Sequence, residues 1–244
     1  MSKLKLAFVL ATTCSAAFGS TIVIPNANTN TVGNQADTST GGSGDIRSQQ
    51  LLGSGQFTSV GGSLLIDQLS FRTAPGMGSL DLTVTTLNLF LSTSPKFPNT
   101  GGPLMSATFA DNVGPDNTLV YSGPVAFQSP GCAGPGVCPF DLSILFTTPF
   151  LYDPTKGRLL IDVKMTGFTE QPGGALDAVS FSPPGGGSVA SVNGALSDAA
   201  GNFDFSGDIL QLRYTAVPEP ASGALMLTGA AALGWIRRRR SYLK

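Results

Sequence analysis

The side chains that could do chemistry in this 244-residue chain are almost all oxygen acids. The chain has no histidine. That removes Ser-His-Asp and Cys-His catalysis and most catalytic zinc sites. No Gly-x-Ser-x-Gly elbow and no phosphate-cradling glycine loop occurs. What remains is clustered Asp and Asn. Asp111, Asn112, Asp116 and Asn117 crowd one segment, and Asn202, Asp204 and Asp208 another. Hard oxygen ligands on loops suit calcium, so Asp111, Asp116, Asp204 and Asp208 are its candidate ligands and calcium is the one cofactor to consider. Neither cluster has EF-hand spacing. Turn formation explains the same residues, because a short carboxylate bonds nearby backbone N–H groups. Glycoside hydrolysis needs only two carboxylates. Asp111 with Asp116, or Glu170 with Asp177, could supply them. Nowhere do base, nucleophile and orienting group come together, so no catalytic residue is assigned.

Of three cysteines, Cys14 lies in an apolar N-terminal run, while Cys132 and Cys138 flank a Gly- and Pro-rich run of five residues. An even pair in an exported chain reads as a disulfide. So short a loop gains little from closure, so the bridge would pin a loop more than stabilise a domain. Two thiols without histidine make a closed zinc site the lesser alternative. Thr13 is a poor residue to precede a lipidated Cys14. Among aromatics, Tyr121, Tyr152 and Tyr214 are the candidates for stacking on sugars, with packing as the competing role.

The elements that must position these groups are short strands. Residues 25–45 are Asn, Thr, Gly, Ser and Asp with little that is apolar, a loop or solvated segment. From Gln56 onward, short apolar runs alternate with turn clusters. Leu80, Leu82 and Val84 alternate, then Leu87, Leu89 and Leu91 alternate in the opposite phase. That flip near Thr85–Thr86 predicts a bulge or a strand changing sheets. Further runs cover 64–71, 105–110, 119–127, 140–150, 158–165, 178–181, 188–192 and 209–215, and 201–207 reads as a loop. Leu159, Ile161 and Val163 oppose Leu160, Asp162 and Lys164. The body is rich in turn formers and poor in helix formers. The pattern predicts an all-β fold, an antiparallel sandwich or jelly roll.

The two ends are different in kind. Lys3 and Lys5, the apolar Leu6–Phe18 and the small residues around Gly19 make a Sec-type signal peptide cleaved before Ser20. At the other end stand Pro218-Glu219-Pro220, sixteen uncharged residues Ala221–Ile236, and Arg237-Arg238-Arg239-Arg240. As a helix the apolar stretch spans about 24 Å at about 1.5 Å per residue, just enough to cross where roughly 20 residues is comfortable. The arginines favour the cytoplasmic side, and Trp235 sits at the boundary where an amphipathic ring belongs. The span 20–220 keeps seven basic and fifteen acidic residues, a net charge of −8. Such a body argues against nucleic acid and anionic lipid as partners.

Motif, membrane stretch and arginine cluster in this order resemble the PEP-CTERM sorting signal of Gram-negative bacteria. The resemblance covers about the last 27 residues. It implies recognition by an integral-membrane exosortase, cutting near the motif, and delivery to the cell surface or an extracellular matrix. A second resemblance runs over Phe150–Val163, an aromatic turn leading into a strand, which is similar to a segment recurring in exported proteins of this kind. Arg158 stands where that segment carries Asn. Ala107–Gly114 has the same character. These resemblances imply fold and compartment, not an activity. The expected organisation is a signal peptide over 1–19, a polar segment with the first strands over 20–55, a sandwich ectodomain over 56–216, and a sorting signal over 217–244. The last comprises motif 218–220, a transmembrane helix over 221–236 and a basic tail over 237–244. The expected role is a non-catalytic surface or matrix protein, with exosortase, the inner membrane and extracellular polysaccharide as partners. The alternatives are a secreted carbohydrate-active hydrolase and a permanently anchored periplasmic protein.

Overall fold

The computed structural model describes residues 19–37, 45–170, 173–181 and 187–217. The expected signal helix, the Pro-Glu-Pro motif and the transmembrane helix lie outside these residues. Among the described residues no helix is long and apolar enough to cross a membrane.

The alternating apolar residues form antiparallel strands, as their period requires. Four of them, β1 (Ser20–Ile24), β4 (Ser63–Phe71), β7 (Leu142–Tyr152) and β13 (Leu210–Val217), make one sheet in the order β1-β13-β4-β7. Six make a second: β3 (Ile46–Leu52), β5 (Leu80–Ser94), β6 (Thr118–Ser129), β8 (Arg158–Glu170), β10 (Val189–Ala195) and β11 (Asn202–Asp204). Their order is β11-β10-β3-β8-β5-β6. A small sheet of β2 (Gln35–Asp37), β9 (Leu176–Ser180) and β12 (Ser206–Asp208) has the order β12-β9-β2. Strands before residue 56 are therefore woven into the same sheets as those after it. β1 pairs with β13, and β3 lies between β10 and β8.

The four- and six-stranded sheets share one apolar core. Leu64, Ile66 and Leu69 of β4, Ile144 of β7 and Leu212 of β13 meet Leu89 and Leu91 of β5 and Leu159 and Ile161 of β8. Each such side chain taken from water contributes about 1.5–3 kcal/mol. The phase flip in β5 is a bulge. Leu80, Leu82 and Val84 and then Leu87, Leu89 and Leu91 are all buried in this same core. The register against β6 slips by one between Val84 and Leu87, and the strand stays within its sheet. Gly167 of β8 answers the bulge with φ +58°, and Thr85 Oγ1 donates to its carbonyl at 2.8 Å. Opposite β5, the inward residues of β8 likewise change phase, from Met165 to Phe168.

The six-stranded sheet is buried on its other face too. Leu51, Leu160, Ala190 and Val192 are covered there by Met105 and Phe109. Residues 105–110, expected as a strand, instead form this cover, and a 3-10 turn follows at Phe109–Asn112. The alternation that suggested a strand comes from two anchoring apolar side chains. The 201–207 segment holds two short strands, β11 and part of β12, instead of an open loop. Strand β2 likewise lies within the segment read as loop.

Candidate functional site

The acidic residues singled out by spacing are occupied by the fold. Asp116 Oδ1 and Oδ2 accept from Thr93 N at 2.7 Å and Thr93 Oγ1 at 2.6 Å. Asp111 Oδ2 accepts from Ser106 Oγ at 2.9 Å. These carboxylates pin different segments instead of facing one another. Asn112 is fully buried, and its amide donates to Ser106 O and to Gln49 Oε1. Asn117 is exposed. Asp204 Oδ2 accepts from Ser206 Oγ at 2.9 Å. Among the described residues no group of three or more Asp, Glu, Cys and His side chains is placed to hold a metal ion.

Asp177 is a buried structural charge. Its Oδ2 accepts from Arg72 Nε at 2.8 Å and its Oδ1 from Gly33 N at 2.9 Å. Arg72, also fully buried, donates through Nη2 to Thr31 O at 2.8 Å and lies over the Phe140 ring. The pair thus ties the loop at 31–33 to β9 and to the end of β4. Both Asp177 oxygens are committed, which leaves no lone carboxylate for a nucleophile. The side chain of its proposed partner Glu170 lies outside the described residues.

A second ion pair holds the outer face of the six-stranded sheet. Arg47 Nε and Nη2 grip Asp162 at 3.0 and 2.6 Å, a bidentate geometry that suits guanidinium and carboxylate. Gln49 Nε2 donates to Asp162 Oδ2 and to Phe109 O, both at 3.1 Å. Neither face of β8 is therefore solvated near Asp162. Arg158, where the resembling segment carries Asn, places its guanidinium over the Phe97 ring.

The tyrosines are packing residues. Tyr152 is fully buried, edge-on to Phe57, and donates to Gly157 O at 3.0 Å. Burial pushes its hydroxyl pKa far above the ordinary value. Tyr121 Oη donates to Pro124 O at 2.7 Å. Tyr121 and Tyr214 both pack, partly buried, against the main core. Cys132 and Cys138 are joined as a disulfide with Cα atoms 5.7 Å apart. The bridged loop is held to the body by Gly76 N donating to Cys132 O at 3.0 Å.

One place does combine a cavity with acids. Asp37 of β2 and Asp208 of β12 reach a hollow between the sheets that is otherwise mainly apolar. The Asp208 pKa lies well above the ordinary carboxylate range. Burial is the largest cause, followed by the charges of Asp37 and Asp177. The sequence offered no signal for this pairing. The two residues stand far apart in the chain, and sequence proximity alone groups Asp208 with Asp204.

The remaining site is the chain's exit. β13 runs to Val217, where it pairs with Ser63, and Pro218 follows at once. A family model for the PEP-CTERM protein-sorting motif matches residues 216–240. The chain carries a PEP-CTERM sorting motif. The match begins within the last two residues of β13 and spans Pro218, Glu219, Pro220 and all four of Arg237–Arg240. No curated protein and no solved structure matches the chain.

Proposed function

We propose that this chain is exported through the Sec route and handed to an exosortase, which reads Pro218-Glu219-Pro220 while the apolar stretch 221–236 holds the tail in the inner membrane. The arginines at 237–240 stay on the cytoplasmic side. The body, read as a β-sandwich ectodomain, then passes to the cell surface or the extracellular matrix. The observation that carries this reading is the sorting motif matched at 216–240. Two features support it. The first strand begins at Ser20, the residue at which signal cleavage is expected, and the last strand ends one residue before the motif. The ectodomain acts through its folded surface, without catalysis, on extracellular polysaccharide. In support, the carboxylates Asp111, Asp116 and Asp177 are each engaged in holding the fold together.

The test is the intact mass of the mature protein from its own host, with and without the exosortase. The expected result is a product ending near Pro218–Pro220 that is lost when the enzyme is absent. A product retaining Ala221–Lys244 in both strains would make the tail a plain membrane anchor.

A further inference from the structure

The outer face of the four-stranded sheet is apolar where the chain leaves it. Strand alternation sends Leu65 of β4, Leu145 and Leu151 of β7 and Val217 of β13 away from the core. All four are exposed, Leu145 and Leu151 by 60% and 57%. The register gathers them. Leu65 pairs with Leu151 on one side and with Thr215 on the other, which sets such side chains about 4.5–5.5 Å apart at Cβ. Val217 pairs with Ser63, one step nearer the exit. Leu145 pairs with Gln68 beyond the bulge, roughly 10 Å along β4 from Leu65. Apolar residues scattered singly on a surface are ordinary, whereas a shared patch marks a contact.

Charge is kept off this face. The span 20–220 has a net charge of −8. Yet Asp67, which stands on the face, is gripped by Arg213 at 2.8 and 3.2 Å. Asp153 at its rim pairs with Lys156 at 3.4 Å. Gln68, Ser70 and Ser143 hydrogen-bond to one another.

The path of the chain decides what covers the patch. Ala221, where the apolar stretch starts, is four residues beyond Val217. An extended chain puts it within about 14 Å of the patch. With the tail in the membrane, the bilayer surface is no farther away than that. A tether so short gives an effective concentration on the order of millimolar, which makes a weak apolar contact count.

We propose that, while the tail is anchored, this face lies on the outward leaflet of the inner membrane. Leu65, Leu145 and Leu151 then sit at the boundary of headgroups and acyl chains, and Pro218–Pro220 is held at headgroup level. The proposal rests on the reading of the tail given above. The contact is apolar and needs no anionic lipid.

The test uses the full chain in phosphatidylcholine nanodiscs, one chain per disc, with isotope-labelled leucine methyls read by NMR. One sample carries a spin label on the lipid acyl chain near the headgroup, and another a water-soluble gadolinium chelate. The expected result is that the lipid label erases the Leu65, Leu145 and Leu151 signals. Leu119, exposed on the other sheet, and Leu104, beyond the end of β5, stay visible with it and are erased by the chelate. Leu65→Gln combined with Leu151→Gln restores the Leu145 signal under the lipid label. The proposal is overturned if the lipid label spares the patch, or if it erases Leu104 or Leu119 equally. It is also overturned if the patch is shielded from the chelate only when a disc holds two chains, since a second copy then covers it. The chain's single tryptophan, Trp235, reports the tail separately through quenching by brominated phosphatidylcholine. Quenched Trp235 with an untouched patch sinks the docking and leaves the tail reading standing. Unquenched Trp235 sinks the tail reading, and the patch is still judged by its own methyls.

Discussion

Ser20 and Tyr214 face each other across the β1–β13 ladder, which places the start of the body beside its end. Three residues beyond Tyr214, Val217 pairs with Ser63 of β4. The strand that leads into the sorting motif is thus clamped on both sides, by β1 and by β4. It cannot complete its sheet until residues 20–24 and 210–217 are on the same side of the membrane. A protease acting near Pro218 works within about one residue's reach, roughly 3.3 Å, of a closed sheet.

Inserting six Gly and Ser residues between Val217 and Pro218 should therefore speed tail removal. A flexible spacer separates the cut from the folded ladder. Pulse labelling in the native host, comparing the masses of tailed and tail-free forms over time, checks it. An unchanged rate would mean that the folded sheet is no obstacle to the enzyme.

The Arg72–Asp177 pair tests the interior. Both partners are almost wholly buried, so removing one leaves an uncompensated charge. Asp177→Ala should cost about 3–5 kcal/mol in denaturant unfolding. Arg72→Met combined with Asp177→Leu should lose much less, because no charge is left stranded. If the double variant is as unstable as the single one, the bonds to Thr31 and Gly33 carry the effect instead of the ion pair.

The paired bulge gives a backbone prediction. A Cβ on Gly167 would sit 2.8 Å from Thr85 Oγ1, at a positive φ that L side chains avoid. Gly167→Ala should destabilise the domain by about 1–3 kcal/mol, read from urea unfolding. Gly136→Ala is a control, since its Cβ would meet nothing within 4 Å.

How far the chain could be read in advance follows from which physics is local. Alternation of apolar residues is a property of each strand, so β5, β8 and β13 and the phase flip at Thr85–Thr86 were legible. The motif at Pro218–Pro220 was legible for the same reason, since its parts are contiguous. The sequence could not distinguish Met105 and Phe109 in a strand from the same residues anchoring a loop, because both bury apolar side chains at short spacing. Nor could it show that Asp162, in an alternating strand, would be covered on its own face, because the cover comes from residues 105–112. The Asp37–Asp208 contact and the cavity beside it depend on three separate strands meeting, and on volume that no side chain fills. Neither leaves a trace in any one segment.

Asp208 makes the last prediction, and its sign is opposite to that of most carboxylates. Its folded pKa is raised, chiefly by burial and then by Asp37 and Asp177, the latter already paired with Arg72. A raised folded pKa means that the stability contributed by the protonated acid is fully present below the unfolded value near 3.8. It is lost as pH rises toward the folded pKa, because the unfolded chain gives up its proton first. Replacing the acid with an amide removes that loss. Asp208→Asn keeps the shape, and its N–H can still donate to Asp37. The variant should melt at a higher temperature than the parent at pH 7. The gap should narrow as pH falls toward about 3, below the unfolded value near 3.8, where the parent acid is mostly protonated in both states. Melting curves of both proteins at steps between these values measure it. A gap independent of pH would mean that Asp208 is not the group that titrates, and that its amide acts through packing alone.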